Sequence, residues 1–318
     1  MNPAMSVVVF TAIAGAAQGL VVALAVAQLL GVAMAAGFVG QALLLAAAMA
    51  TAGLLSSFGH LGRKERAWRA VLMWRTSWLS RECLVLPAFI GWTLLWWALL
   101  PATGQTPLWL QDGSAAAIWL PVGALLLAAL LWLCTAMIYA CLRFIQEWAQ
   151  PLTLVNFVLI GLGSGLVLAS ALAAGAGETA LLRATGPAAL VVLLAALAVR
   201  CATLVRNAAL VPKSTLHSAT GIRTPQLVQK SMGMSAGAFN TREFFHGRTK
   251  AFLKNLKWLF LLCGFVLPAL CAAWALAGGS ALAWVRAVAL QVPGLLAERW
   301  FFFAQARHPQ NLYYQVVS

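Results

Sequence analysis

Between Ser56 and Glu82 the chain reads SSFGHLGRKERAWRAVLMWRTSWLSRE. Six Lys or Arg residues, His60 and the carboxylates Glu65 and Glu82 are gathered there, between runs almost free of charge. This is the pattern of a chain that leaves a bilayer and re-enters it, with charged side chains held in water or among headgroups. Working outward from it, eight apolar runs can be marked: Val7–Leu30, Ala35–Phe58, Cys83–Leu100, Ala116–Ala140, Pro151–Ala174, Pro187–Val205, Trp258–Ala277 and Ala281–Phe303. Most approach or pass the ~20 residues that a helix needs to span the hydrocarbon core. The strand alternation of a membrane barrel is absent. The expected fold is therefore all-α, a polytopic transmembrane helix bundle of about eight helices. Residues 1–318 form one integral membrane domain, with cytoplasmic loops near 59–82 and 206–257.

Composition agrees. Of the 318 residues, 63% are hydrophobic and 9% charged, against about 25% charged in a soluble domain. The net charge of +14 would suggest nucleic acid in a soluble protein. Here eighteen of the 21 basic residues fall on one side of an eight-span layout, the opposite side holds only Arg183, and Arg200 and Arg286 lie inside apolar runs. Positive loops stay in the cytoplasm, so both termini are expected there, in a multi-pass protein of the bacterial inner membrane. The opening MNPAMSVVVF lacks a basic n-region and reads as a retained helix. On the other side, Trp92, Trp96, Trp97, Trp109 and Trp119 suggest an interfacial aromatic belt.

Few residues are equipped for chemistry. The six cysteines form no C-x-x-C pair; they read as small buried hydrophobes and supply no framework for an iron–sulfur cluster. Of the four histidines only His60 lies at the end of a span, so a haem held by two imidazoles at membrane depth is not expected. No H-E-x-x-H or P-loop motif occurs. GLGSG at Gly161–Gly165 sits within an apolar run and suggests close helix packing. Carboxylates near a bilayer usually have a partner or handle protons. Glu298 is expected in a salt bridge with Arg299 or an arginine of the Ser56–Glu82 stretch. Glu82 opens the third span on the same side as His60. An imidazole can donate to a quinone carbonyl and pass a proton near neutral pH, and a neighbouring carboxylate can relay the second proton. Arg63, Arg69 and Arg75 are candidates to hold Glu82 ionised or to favour reduced quinone. A His60 that merely caps the second helix is the competing account.

The stretch HLGRKERAWRAVLMWRTSWLSRE resembles the membrane anchor subunits of the dimethyl sulfoxide reductase family, on His60, Leu61, Gly62, Arg69, Ala70, Ser80 and Glu82. The eight-span layout and AERWFFFAQ in the last span add to the likeness. The resemblance implies quinone chemistry at His60 and Glu82, with ubiquinone or menaquinone as the quinone and no haem in this chain. It also implies two partners, an iron–sulfur electron-transfer subunit and a molybdopterin catalytic subunit. The basic AFNTREFFHGRTKAFLKNLKW looks like the anchors of cytoplasmic sulfite dehydrogenases. The expected function is thus that of a quinone-binding membrane anchor passing electrons between the iron–sulfur subunit and the quinone pool, from sulfite oxidation. The alternatives are an anchor whose complex oxidises quinol, as in dimethyl sulfoxide reduction, and a membrane transporter. For a transporter, Arg200 is the sole candidate midplane charge.

Overall fold

The computed structural model describes residues 1–100, 115–228, 230 and 244–309, and the backbone alone of His60, Ala115 and Ala116. Among the described residues there are eight long helices: α1 Met5–Leu29, α2 Ala36–Ser57, α3 Trp78–Ala98, α4 Ala115–Ala140, α5 Pro151–Ala176, α6 Thr179–Ala208, α7 Lys250–Leu276 and α8 Leu282–Ala304. A helical turn at Leu216–Thr220 and a 3-10 ribbon at Lys64–Met73 lie outside this set. Six of the eight are long and apolar enough to cross a membrane on composition alone. The other two, α3 and α8, carry the buried carboxylates Glu82 and Glu298.

Three helices start well before the apolar runs that announce them. α3 begins at Trp78, so Glu82 stands in its second turn instead of opening it; Ser77 caps the helix, its side chain accepting from the Ser80 amide at 3.4 Å. α6 begins at Thr179 and carries Pro187 inside, a placement membrane helices tolerate. α7 begins at Lys250, where Thr249 accepts from the Phe252 amide at 3.2 Å. Its first two turns carry Lys254 and Lys257 and are too polar to count as a span from composition, yet lysine stems can lie along a helix with the ammonium in water.

α1 is the hub, packed against α2, α4, α5 and α8. Its closest partner is α5, along a glycine seam. A Cβ on Gly15 would meet the Gly161 Cα at 3.6 Å, and Cβ atoms on Gly19 or Gly165 would collide with the facing backbone. The GLGSG expectation of close packing holds, because glycine lets two backbones touch. α7 contains a π turn at Leu262–Val266 opposite Gly294 of α8. Pro268 has no N–H to offer the Gly264 carbonyl four residues earlier, and Gln291 of α8 donates to that oxygen at 3.4 Å.

Hydrogen bonds identify which helix ends lie together. Ser56 donates to the Ser6 carbonyl at 3.0 Å, Trp148 Nε1 to the Phe302 carbonyl at 3.0 Å, and Asn207 Nδ2 to Gln305 Oε1 at 3.4 Å. At the other end Gln28 donates to the Ala117 carbonyl at 3.0 Å and the Ala35 amide to Glu178 at 3.1 Å. The first set lies at the end that carries the described basic segments, referred to below as the basic end.

The tryptophan belt holds only in part. Trp97 and Trp119 are exposed, but Trp96 is fully buried in the core and Trp92 donates to the Leu120 carbonyl at 2.9 Å; Trp109 lies outside the described residues. Of the cysteines, only Cys134 is fully buried, and Cys141 is exposed.

Candidate functional site

Glu82 is 6% exposed, one turn in from the basic end of α3. Thr135, in the last two turns of α4, donates its hydroxyl to Glu82 Oε1. Among the described residues this is its one hydrogen bond, and Oε2 keeps its capacity to accept another. The neighbouring Arg81 turns away: it donates to the carbonyls of Trp74 and Arg75 at 3.0 and 2.8 Å, and its guanidinium covers the Trp78 ring at 4.2 Å. His60 ends the 3-10 turn that follows α2, at the same end of the bundle, and its side chain lies outside the described residues. Arg63, Arg69 and Arg75 are exposed. Arg69 lies over Trp68 and Arg75 over Trp74, at 5.7 and 5.3 Å, and among the described residues neither they nor Arg63 form an ion pair with Glu82.

A second polar group lies at nearly the same depth, about one to two turns from the basic end. Arg200 of α6 and Glu298 of α8 meet at 2.9 Å, Nε to Oε1, and Arg299 Nε approaches the other carboxylate oxygen at 3.5 Å. All three are at most 2% exposed. Each guanidinium also rests on a ring, Arg299 over Phe157 at 4.0 Å and Arg200 over Phe260 at 5.4 Å. The expected Glu298–Arg299 contact is present, but Arg200 is the nearer partner, brought in by α6 from 98 residues away. Arg200 is thus half of an ion pair and not a lone midplane charge. Close by, Asn156 donates to the Thr203 hydroxyl at 2.8 Å, and Tyr139 sits within an aromatic group of Trp148, Phe157, Phe302 and Phe303.

Between the two groups lies a cavity of about 10 Å³. Its polar lining is Thr11, Gln18, Trp132, Thr135 and Arg299. Gly161 makes room for the Trp132 indole beside it, since a Cβ there would stand 2.7 Å from Trp132 Nε1. The sequence reading missed Thr135, Gln18 and this linkage. The available signal was a charge inside a span, Arg200, paired with a carboxylate near the end of another.

At the surface, the Lys64–Met73 ribbon buries no residue; Arg63, Lys64, Arg66 and Arg69 are exposed beside Trp68, Leu72, Met73 and Trp74. Outside the spans, burial lowers the pKa of the His246 imidazole below its ordinary value, with the N-terminal charge and Arg248 adding to the effect. No group of three or more His, Cys, Asp or Glu able to hold a metal occurs among the described residues.

Residues 1–235 match the family model described as DMSO reductase anchor subunit (DmsC). The chain is 45% identical to the C subunit of the sulfite dehydrogenase of Allochromatium vinosum over 330 aligned residues, covering the whole of both chains. No solved structure matches.

Proposed function

This chain belongs to the family of DMSO reductase anchor subunits, and we propose that it is the quinone-reactive anchor of a sulfite-oxidising molybdopterin and iron–sulfur complex. The full-length likeness to a sulfite dehydrogenase C subunit supports the sulfite assignment. Oxidation of sulfite with water to sulfate in the molybdopterin subunit releases two electrons and two protons. The electrons pass through the iron–sulfur subunit to this chain. Quinone accepts two electrons, and two protons must reach its oxygens.

The observation that carries the reading is Glu82, a carboxylate buried between the helices at the bundle end where His60 closes α2. An uncompensated carboxylate is costly there. Thr135 engages one of its oxygens and leaves the other able to exchange a proton or accept a bond. In this reading His60 donates a hydrogen bond to a quinone carbonyl, and Glu82 holds and passes a proton. The donor set suits a quinone, being one imidazole and one carboxyl in largely apolar surroundings. Arg63, Arg69 and Arg75, exposed and stacked on tryptophans, belong to the partner-facing surface in this account, with at most a long-range effect on Glu82.

The basic end faces the cytoplasm on the positive-inside bias. The exposed ribbon 64–73 and the described part of the segment 206–257 then offer a platform for the iron–sulfur subunit. Glu82→Gln and His60→Ala, made in the complex, should stop sulfite-to-quinone turnover while leaving reduction of a soluble acceptor dye by the partner subunits intact. Quinone turnover at the wild-type rate in both variants would place the quinone site elsewhere.

A further inference from the structure

The cavity between Glu82 and the Arg200–Glu298–Arg299 cluster is the size of one water molecule, and its polar lining is unsatisfied in a specific way. Gln18 Oε1 and Trp132 Nε1 have no hydrogen-bond partner among the described residues, the guanidinium of Arg299 lines the same cavity while its Nε stands 3.5 Å from Glu298, and these side chains are 3%, 6% and 2% exposed. Two are donors and one is an acceptor. Of the two hydroxyls in the lining, Thr11 donates to the carbonyls of Val7 and Val8 on its own helix, and Thr135 Oγ1 has spent its hydrogen on Glu82 and can accept. One water accepting from Trp132 and the Arg299 guanidinium, and donating to Gln18 and Thr135, makes its full complement of bonds and satisfies the two lining atoms that have no partner.

We propose that this cavity holds one structural water, and that Arg299 acts through it and the Thr135 hydroxyl as a positioning residue for the Glu82 carboxylate. The proposal rests on the reading of Glu82 as the proton-handling group of the quinone site. Every bond in the chain donates toward Glu82, from the Arg299 guanidinium to water, from water to Thr135, and from Thr135 to the carboxylate. A line of donors that starts at a cation is complementary to a carboxylate and holds it oriented. The charges fit as well. Arg200 and Arg299 share one carboxylate, Glu298, so the cluster presents a net positive charge on its side of the cavity.

Other groups around Glu82 do not take this role. On its own helix Arg81 is committed to two backbone carbonyls, and Cys83 is half-buried. From α4 come Cys134 and Tyr139; Tyr139 lies in electrostatic reach of both Glu82 and Arg299. His60 closes α2, and the charges of the 3-10 ribbon, Glu65 included, are exposed.

The test uses the whole complex in membranes, with Glu82→Gln, Thr135→Val, Thr135→Ser, Arg299→Gln and Arg299→Lys. Valine keeps the shape of threonine and removes the hydroxyl. Thr135→Val should lower sulfite-to-quinone turnover near neutral pH roughly tenfold, the worth of one hydrogen bond to a charged group. It should also displace the pH–rate profile toward alkaline pH, with soluble-dye turnover unchanged. Thr135→Ser and Arg299→Lys should restore the profile in part, and Arg299→Gln should behave as Thr135→Val does. A density map of the complex at a resolution that shows ordered water should place one in the cavity. If Glu82→Gln abolishes quinone turnover while Thr135→Val keeps the wild-type rate and profile, the linkage is wrong although the quinone site stands. If Glu82→Gln itself turns over at the wild-type rate, the quinone reading fails and takes the linkage with it. A dry cavity in the map refutes the water.

Discussion

Replacing Glu298 should damage the bundle more than replacing either of its partners. The carboxylate lies between two buried guanidiniums, 2.9 Å from Arg200 and 3.5 Å from Arg299. Glu298→Gln keeps the shape of the side chain and leaves two buried cations without a counter-charge. Arg200→Met keeps most of the apolar stem and leaves a neutral pair, Glu298 with Arg299. Removing one member of a buried pair costs about 3–5 kcal/mol. Arg200→Met removes one attraction and one desolvated charge, so it should fall near ~3 kcal/mol. Glu298→Gln removes two attractions and adds repulsion between the arginines, so it should reach or exceed ~5 kcal/mol. At roughly 2 °C per kcal/mol, the lower end of the range for large domains, the unfolding temperature should drop by about 6 and 10 °C. The assay is thermal unfolding of the detergent-solubilised protein, followed by the reaction of a thiol dye with Cys134, which is fully buried. An Arg200→Met loss as large as that of Glu298→Gln would refute the charge argument. A drop below about 1 °C for both would mean that the cluster is not buried as described.

Gly165→Leu should prevent α1 and α5 from closing, since even a Cβ at this position collides with Gly19 and Leu20; overpacking of this kind costs on the order of 1–3 kcal/mol or more, read as loss of the monodisperse peak in size-exclusion chromatography, and a wild-type peak would contradict the seam. Cys141 is exposed at the basic end of the bundle, so a membrane-impermeant maleimide should label it in inside-out vesicles and not in right-side-out ones; Cys141→Ser identifies the band, and the reverse pattern would invert the topology. Arg248→Glu, at an exposed position before α7, should weaken retention of the partner subunits on membranes while this chain still inserts; full retention would count against that segment as a docking surface. His246 has its pKa lowered from the ordinary 6.5 by burial, so the unfolded chain binds more protons between its folded value and 6.5, and local stability should fall as the pH drops through that window. The protection factors of residues 244–249, exchange rates divided into the intrinsic rate at the same pH, should fall on acidification in the wild type and not in His246→Gln.

The existence, number and polar end of the helices were legible in the sequence because a bilayer leaves the backbone no other partner than itself. Run length then reports a helix directly, and the positions of arginine and lysine report which ends lie together. The misplaced starts of α3, α6 and α7 share one cause. Helices continue past the apolar run that announces them, through Arg81, Arg183 and Lys250–Lys257, and hydropathy marks the lipid and not the helix end. Glu82 and His60 stood out because polar groups are so scarce in this chain.

What surrounds Glu82 was not legible. These spans are apolar on nearly every face, and lipid tails are as apolar as a protein core, so no periodicity marks the face that turns inward. Thr135 reaches Glu82 from 53 residues away, and Arg200 reaches Glu298 from 98. Nothing in the composition of α4 or α6 designates those side chains over their neighbours. Contact between α1 and α5 at Gly15, Gly19, Gly161 and Gly165 sets the rotation of the two helices. Packing of α4 and α8 around them then decides that Gln18, Trp132, Thr135 and Arg299 meet around one small cavity. The sequence alone established the spans and their polar end, because those depend on each segment's own contact with lipid and water. Only the tertiary structure decided which polar groups face one another, because that depends on how closely neighbouring helices approach.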